Sequence, residues 1–212
     1  MDERLNGPRL YLVTPPVEDA AQCAGMLADV LSGADVAAVL LRLEPADERT
    51  LINRVKVLAP IVQGRGAALL LDGHPEIAAR AGADGAHLTG IEALQGAIAS
   101  LQPERIAGAG GLTTRHDAML AGEAGADYVM FGEPDETGRR PSFSAVEERV
   151  AWWAEVFQPP CVGYAAESDE VAALAHAGAD FVALGDWVWT APEGAAAAVA
   201  AAARRLSPER VT

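Results

Sequence analysis

Charged and polar residues that interrupt apolar runs are the first candidates for chemistry in this 212-residue chain. Arg42 closes the run VAAVLL. An arginine there either binds an anion or pairs with a carboxylate. Glu44, two residues on and on the same side of an extended strand, is a candidate partner. Asp72 ends AALLLD and is followed by Gly73, His74 and Pro75. It could ligate Mg2+, or cap a helix that Pro75 opens. His87 and Thr89 lie in GAHLT, where His87 could point inward or be a hydrogen-bonded core residue. Glu92 starts the next helical stretch, where a carboxylate also suits the helix dipole. Thr14 ends RLYLVT, and its hydroxyl could meet a ligand or satisfy the turn. Gly110 sits in a glycine cluster that would let backbone approach a ligand closely. Arg139 and Arg140, in EPDETGRRPS, form the most basic spot, able to clamp a pyrophosphate or to stand as solvated loop charges. Gly185 fits a phosphate site built from backbone N–H groups. The loop Tyr164-Ala165-Ala166 lacks the glycines such a site uses, and Trp187 and Trp189 would fill that corner.

A repeat supplies the elements that position these residues. The triplet Gly-Ala-Asp begins at Gly33, Gly82, Gly125 and Gly178, at intervals of 49, 43 and 53 residues. Each copy follows a helix-like stretch and precedes a β-rich run. The interval suits two βα units, with Gly ending a helix cheaply in the left-handed conformation. The strands between the triplets are RLYLVT (9–14), AALLLD (67–72), RIAGAG (105–110) and CVGYA (161–165). Helices are expected over 18–32, 47–64, 75–81, 91–101, 114–124, 144–157, 168–177 and 193–206. Near-continuous apolar strands alternating with helices predict a parallel sheet buried on both faces. Eight such units close into a single (β/α)8 TIM barrel over residues 1–212, with chemistry at the C-terminal ends of the strands. An open doubly wound sheet is the alternative; it would show a Gly-rich first turn, whereas the turn here is Thr14-Pro15-Pro16. The stretch 133–142 reads as the most mobile loop, and 207–212 as a frayed tail.

Composition excludes some functions. A net charge of −14 argues against nucleic acid as a partner, which needs a basic face. A small phosphorylated ligand needs only a local positive site. No stretch is apolar for 18 residues, so no membrane helix is expected. The charged start MDERLNGPRL and the two cysteines, Cys23 and Cys161, without metal-type spacing, predict a cytoplasmic protein with buried thiols. A homodimer is compatible with this surface.

The fragments YLVT, LLR, Asp72 after its strand, AGADGAHL, AGADYVMFG and AGADFVALG, in this order over Tyr11 to Val188, resemble the thiamin phosphate synthase family and its sister, the thiazole tautomerase. The resemblance implies a transferase of thiamine biosynthesis. It would couple a hydroxymethylpyrimidine pyrophosphate to a thiazole phosphate and release pyrophosphate with Mg2+, through a carbocation-like pyrimidine. Positive groups and the metal would stabilise the leaving group. It also implies roles. Arg42 and His87 would be catalytic, and Asp72 and Glu92 would hold the metal. Thr14, Arg42, Gly110, Arg139, Arg140 and Gly185 would bind substrate or pyrophosphate. The chain departs from the family pattern at several of these places. The family's Gln-Leu-Arg-Glu-Lys is Leu40-Leu41-Arg42-Leu43-Glu44, and its Asn-Asp is Leu71-Asp72. Its serine is Gly110, the tautomerase histidine is Leu112, and the Gly-Gly loop after the seventh strand is absent. A second expectation follows: a barrel that has lost catalysis and binds a ligand or regulates. Its mark would be a rim filled by Trp187 and Tyr164, with an Arg42–Glu44 ion pair.

Overall fold

Short runs of Val, Leu, Ile and Ala alternate with longer amphipathic segments, and each takes the geometry its period dictates. The structure, a computed structural model, describes residues 7–206; the expectation for 207–212 lies outside the described residues. The strands are β1 (Arg9–Val13), β2 (Val36–Leu41), β3 (Ala68–Asp72), β4 (Gly85–Thr89), β5 (Ile106–Gly110), β6 (Tyr128–Phe131), β7 (Cys161–Ala165) and β8 (Phe181–Leu184). The helices are α1 (Ala20–Gly33), α2 (Glu48–Gln63), α3 (Pro75–Ala81), α4 (Ile91–Leu101), α5 (Arg115–Ala124), α6 (Phe143–Val156), α7 (Glu170–His176) and α8 (Ala195–Leu206). All neighbouring strands pair in parallel and β8 returns to β1, which closes the barrel. A short 3-10 turn at Asp186–Val188, unforeseen from the sequence, follows β8. No described helix is long and apolar enough to cross a membrane.

The period-2 alternation of the strands sorts their side chains into two cores. Leu10 and Leu12, Val39 and Leu41, Leu69 and Leu71 face outward into the layer shared with the helices. Tyr11 and Val13, Ala38 and Leu40, Leu70, Tyr128 and Met130, Val162 and Tyr164 fill the barrel interior. Cys23 and Cys161 are buried, as expected.

The Gly-Ala-Asp repeat acts in two ways. Gly82, Gly125 and Gly178 end α3, α5 and α7 in the left-handed region, with φ of 83°, 95° and 100°. Gly33 departs from the expectation: it is the last residue of α1, and the chain leaves through extended Ala34. The aspartates are clamps across strands, which the sequence did not disclose. Asp84 accepts from the Leu69 N–H (2.7 Å), Asp127 from the Ala107 N–H (2.8 Å) and Asp180 from the Cys161 N–H (2.8 Å). Asp35 instead binds the Arg9 side chain. Each aspartate at the foot of an even strand therefore anchors the foot of the odd strand before it. These clamps sit at the end of the barrel opposite its chemistry, where structure is maintained.

Candidate active site at the barrel mouth

Strand parity, carried one step past the strand ends, decides which side chains meet at the mouth. Arg42 continues the inward series of Ala38 and Leu40, and Asp72 that of Leu70. His87 and Gly110 are inward on β4 and β5. An open cavity of about 1170 Å³ lies here, floored by Val13, Leu40 and Met130. Arg42, Asp72, His87, Glu133, Arg139 and Arg140 line it, as does Arg149, a residue of α6 that no motif signals.

Thr14 has the opposite parity to Val13 and is fully buried. Its hydroxyl accepts from the Arg42 N–H (3.1 Å), so it serves the turn. Arg42 donates to the Thr14 carbonyl and forms an ion pair with Asp186. The expected Arg42–Glu44 pair is thus replaced by one to Asp186, which the 3-10 turn after β8 places beside Arg42. Asp72 does not cap α3. Gly73 (φ 71°) and His74 (φ 54°) turn the chain first, and the cap position falls on His74, which makes no side-chain cap bond. The Asp72 carboxylate forms no hydrogen bond or ion pair among the described residues and lines the cavity. Glu92, in the first turn of α4, is exposed and lies outside the lining.

His87 is 3% exposed and belongs to a polar thread running into the barrel. Its Nδ1 lies 2.8 Å from the Tyr128 hydroxyl, which is 2.8 Å from that of Tyr11. Burial pushes both tyrosine hydroxyls up, reinforced by the charges of Asp72 and Glu133, so both stay protonated at neutral pH. His87 Nε2 is 3.9 Å from Glu133 Oε1, which accepts the Gly111 N–H. Sequence reasoning passed over Glu133. It follows β6 with outward parity, but Gly132, at φ 99°, reverses the chain and swings it into the mouth. The role of Gly110 is steric. A Cβ there would fall on Glu133 Oε1 and His87 Nε2. Gly110→Ala is therefore expected to displace both side chains and destabilise the fold by about 1–3 kcal/mol, checked by denaturant unfolding.

The corner between β7 and β8 is closed by the protein's own groups. Gly185 N–H donates to the Ala165 carbonyl (3.0 Å), and the Trp187 indole to the same oxygen (3.1 Å). A Cβ on Gly185 would strike the buried Tyr164 hydroxyl. The Ala166 N–H donates to Glu170 (2.7 Å), and Glu170 takes both its oxygens to Arg140 Nη1, at 3.0 and 2.9 Å. Arg140 is therefore not a solvated loop charge: it is 19% exposed and its partner 12%. Arg139, 82% exposed, does match that expectation. The loop 133–142 is tied together by Asp135, which accepts from Thr137 and Arg139 and donates its own N–H to the Arg139 carbonyl. Trp187 and Tyr164 fill their corner, yet the mouth beside them stays open. Among the described mouth arginines, Arg149 has no carboxylate partner and donates to the Leu112 and Thr113 carbonyls.

Among the described residues no three His, Cys, Asp or Glu side chains form a metal cluster. Mg2+ commonly binds through one or two carboxylates and completes its shell with water and substrate phosphates. A partly exposed carboxylate without a partner among the described residues, as at Asp72, fits that chemistry.

Fold and site together define a parallel eight-stranded barrel with a charged mouth. Residues 10–188 match the family described as thiamine monophosphate synthase, and the chain belongs to it. The thiamine-phosphate synthase of Rhodospirillum centenum is 42% identical over 200 residues, covering 91% of this chain and 94% of that protein. That of Hyphomonas neptunium is 36% identical over 201 residues, 91% of each. The solved thiamine phosphate pyrophosphorylase from Pyrococcus furiosus superposes with a TM-score of 0.75 at 20% identity, over 93% of this chain and 95% of that one, a likeness of fold.

Proposed function

We propose that the chain is a cytoplasmic thiamine-phosphate synthase that joins a hydroxymethylpyrimidine pyrophosphate to a thiazole phosphate. The observation that carries this reading is the open mouth of a barrel of this family, where four arginines and Asp72, which has no partner among the described residues, line a cavity over an apolar floor. The compartment is supported by two buried thiols, which suit a reducing environment. Arg149 offers the uncompensated positive charge for a phosphate or pyrophosphate, with Arg42, Arg139 and Arg140 around it. Asp72 would hold Mg2+, which when bound neutralises charge on the leaving pyrophosphate. Glu92 lies outside the lining, so any contribution from it would run through water. Val13, Leu40 and Met130 would seat a heteroaromatic ring and exclude water from it. His87, fixed by Tyr128, holds one edge of that seat.

One observation favours the second reading, a family barrel that binds a ligand without turning it over. The N–H groups of Ala166 and Gly185, which a phosphate would use, are taken by Glu170 and Ala165. A turnover assay separates the two. Purified chain, both substrates and Mg2+ are expected to yield thiamine phosphate, and chelation of the metal to stop it. Absence of product beside a working synthase would remove the first reading.

A further inference from the structure

The carboxylates around the mouth differ in how they are neutralised. Asp186, Asp135 and Glu170 each face an arginine. Glu133 does not. Its side chain is 18% exposed, its nearest basic group is His87 at 3.9 Å, and no Lys or Arg reaches it among the described residues. Yet it is built into place. Gly132 turns it inward, the Gly111 N–H holds Oε1, and Gly110 gives up its side chain to make room. The other oxygen, Oε2, has no partner among the described residues, and Glu133 lines the cavity above the apolar floor. A partly desolvated carboxylate with no counter-charge is costly unless something else supplies the positive partner.

We propose that Glu133 recognises the ring of the pyrimidine substrate, accepting N–H groups from an amino-substituted, protonatable heteroaromatic edge. The substrate's identity rests on the synthase reading above. The same carboxylate then stands beside the charge that develops in the reaction. As the C–O bond to pyrophosphate breaks, its electron pair leaves with pyrophosphate and the methylene carbon becomes positive. The lone pair of the thiazole nitrogen then forms the C–N bond. Glu133 transfers no proton in either step; it pairs with positive charge that the chain itself does not provide.

Glu133→Gln tests this, because it keeps the volume and the acceptor for the Gly111 N–H while removing the charge. The measurements are calorimetric binding of the hydroxymethyl aminopyrimidine alcohol, which carries no pyrophosphate, and steady-state kinetics with both substrates and Mg2+. Affinity for the alcohol is expected to fall about ten- to a hundredfold, the worth of a charge-assisted hydrogen bond. KM for the pyrimidine substrate should rise in step, with KM for the thiazole phosphate and the Mg2+ half-saturation unchanged. Glu133→Asp, which retains the charge on a shorter arm, should bind with intermediate affinity and serves if the Gln variant does not fold. Equal affinity in folded Glu133→Gln overturns the proposal, as does failure of the alcohol to bind the unmodified protein. A change confined to Mg2+ half-saturation would instead make Glu133 a metal ligand. Binding of the alcohol through Glu133 without turnover would remove the synthase reading and leave this site standing. Turnover with a pyrimidine KM indifferent to Glu133→Gln would do the reverse.

Discussion

Asp72→Ala is expected to lower thiamine phosphate formation by about a hundred- to a thousandfold, the range for losing one preorganised electrostatic group, without loss of stability. The second half of that expectation comes from the fold. Asp72 caps no helix and makes no hydrogen bond or ion pair among the described residues. Removing it therefore leaves no orphaned partner. It also removes negative charge beside the buried Tyr11 and Tyr128 hydroxyls, whose titration its carboxylate already perturbs. Thermal unfolding at or above the temperature of the unmodified protein, together with collapsed kcat, would place Asp72 in the chemistry. Undiminished turnover would remove it from the site.

Glu170→Ala should act in the opposite way, first on stability. The Arg140–Glu170 pair is largely buried, and the Arg140 Nε already lacks a partner. Deleting the carboxylate strands a guanidinium and the Ala166 N–H together, a loss of about 3–5 kcal/mol. For a chain of this length that corresponds to a fall in Tm of roughly 6–20 °C. Replacing both partners by apolar residues of similar volume should recover most of it, since the penalty comes from the uncompensated charge. The variant also tests the corner as an anion site. Glu170 binds Arg140 and a backbone N–H much as a bound phosphate would. Inorganic pyrophosphate should therefore raise the Tm of Glu170→Ala more than that of the unmodified protein. Equal shifts would show that the corner does not accept an anion even when vacated.

These two residues also mark how far the sequence could be read. The barrel was legible because its signals are local. Four Gly-Ala-Asp triplets punctuate helix ends, and each apolar run is short enough to be a strand buried on both faces. Parity along those runs was enough to carry Arg42, Asp72 and His87 to the mouth. What partners they find there depends on residues far away in the chain. Arg42 meets Asp186 and not Glu44, because closure of β8 onto β1 sets the turn that carries Asp186 beside the end of β2. Arg140 is locked by a residue of α7, and His87 is held by a tyrosine of β6. Glu133 escaped notice because one left-handed glycine reverses the side it faces. The sequence by itself thus determined the eight-fold alternation, the barrel and the end at which chemistry sits, all consequences of period and helix termination. Only the closed tertiary structure decided which charges are already neutralised and which are left facing the mouth. Ion pairs form between groups that closure brings within a few ångströms, and closure of eight strands sets residues more than a hundred positions apart side by side.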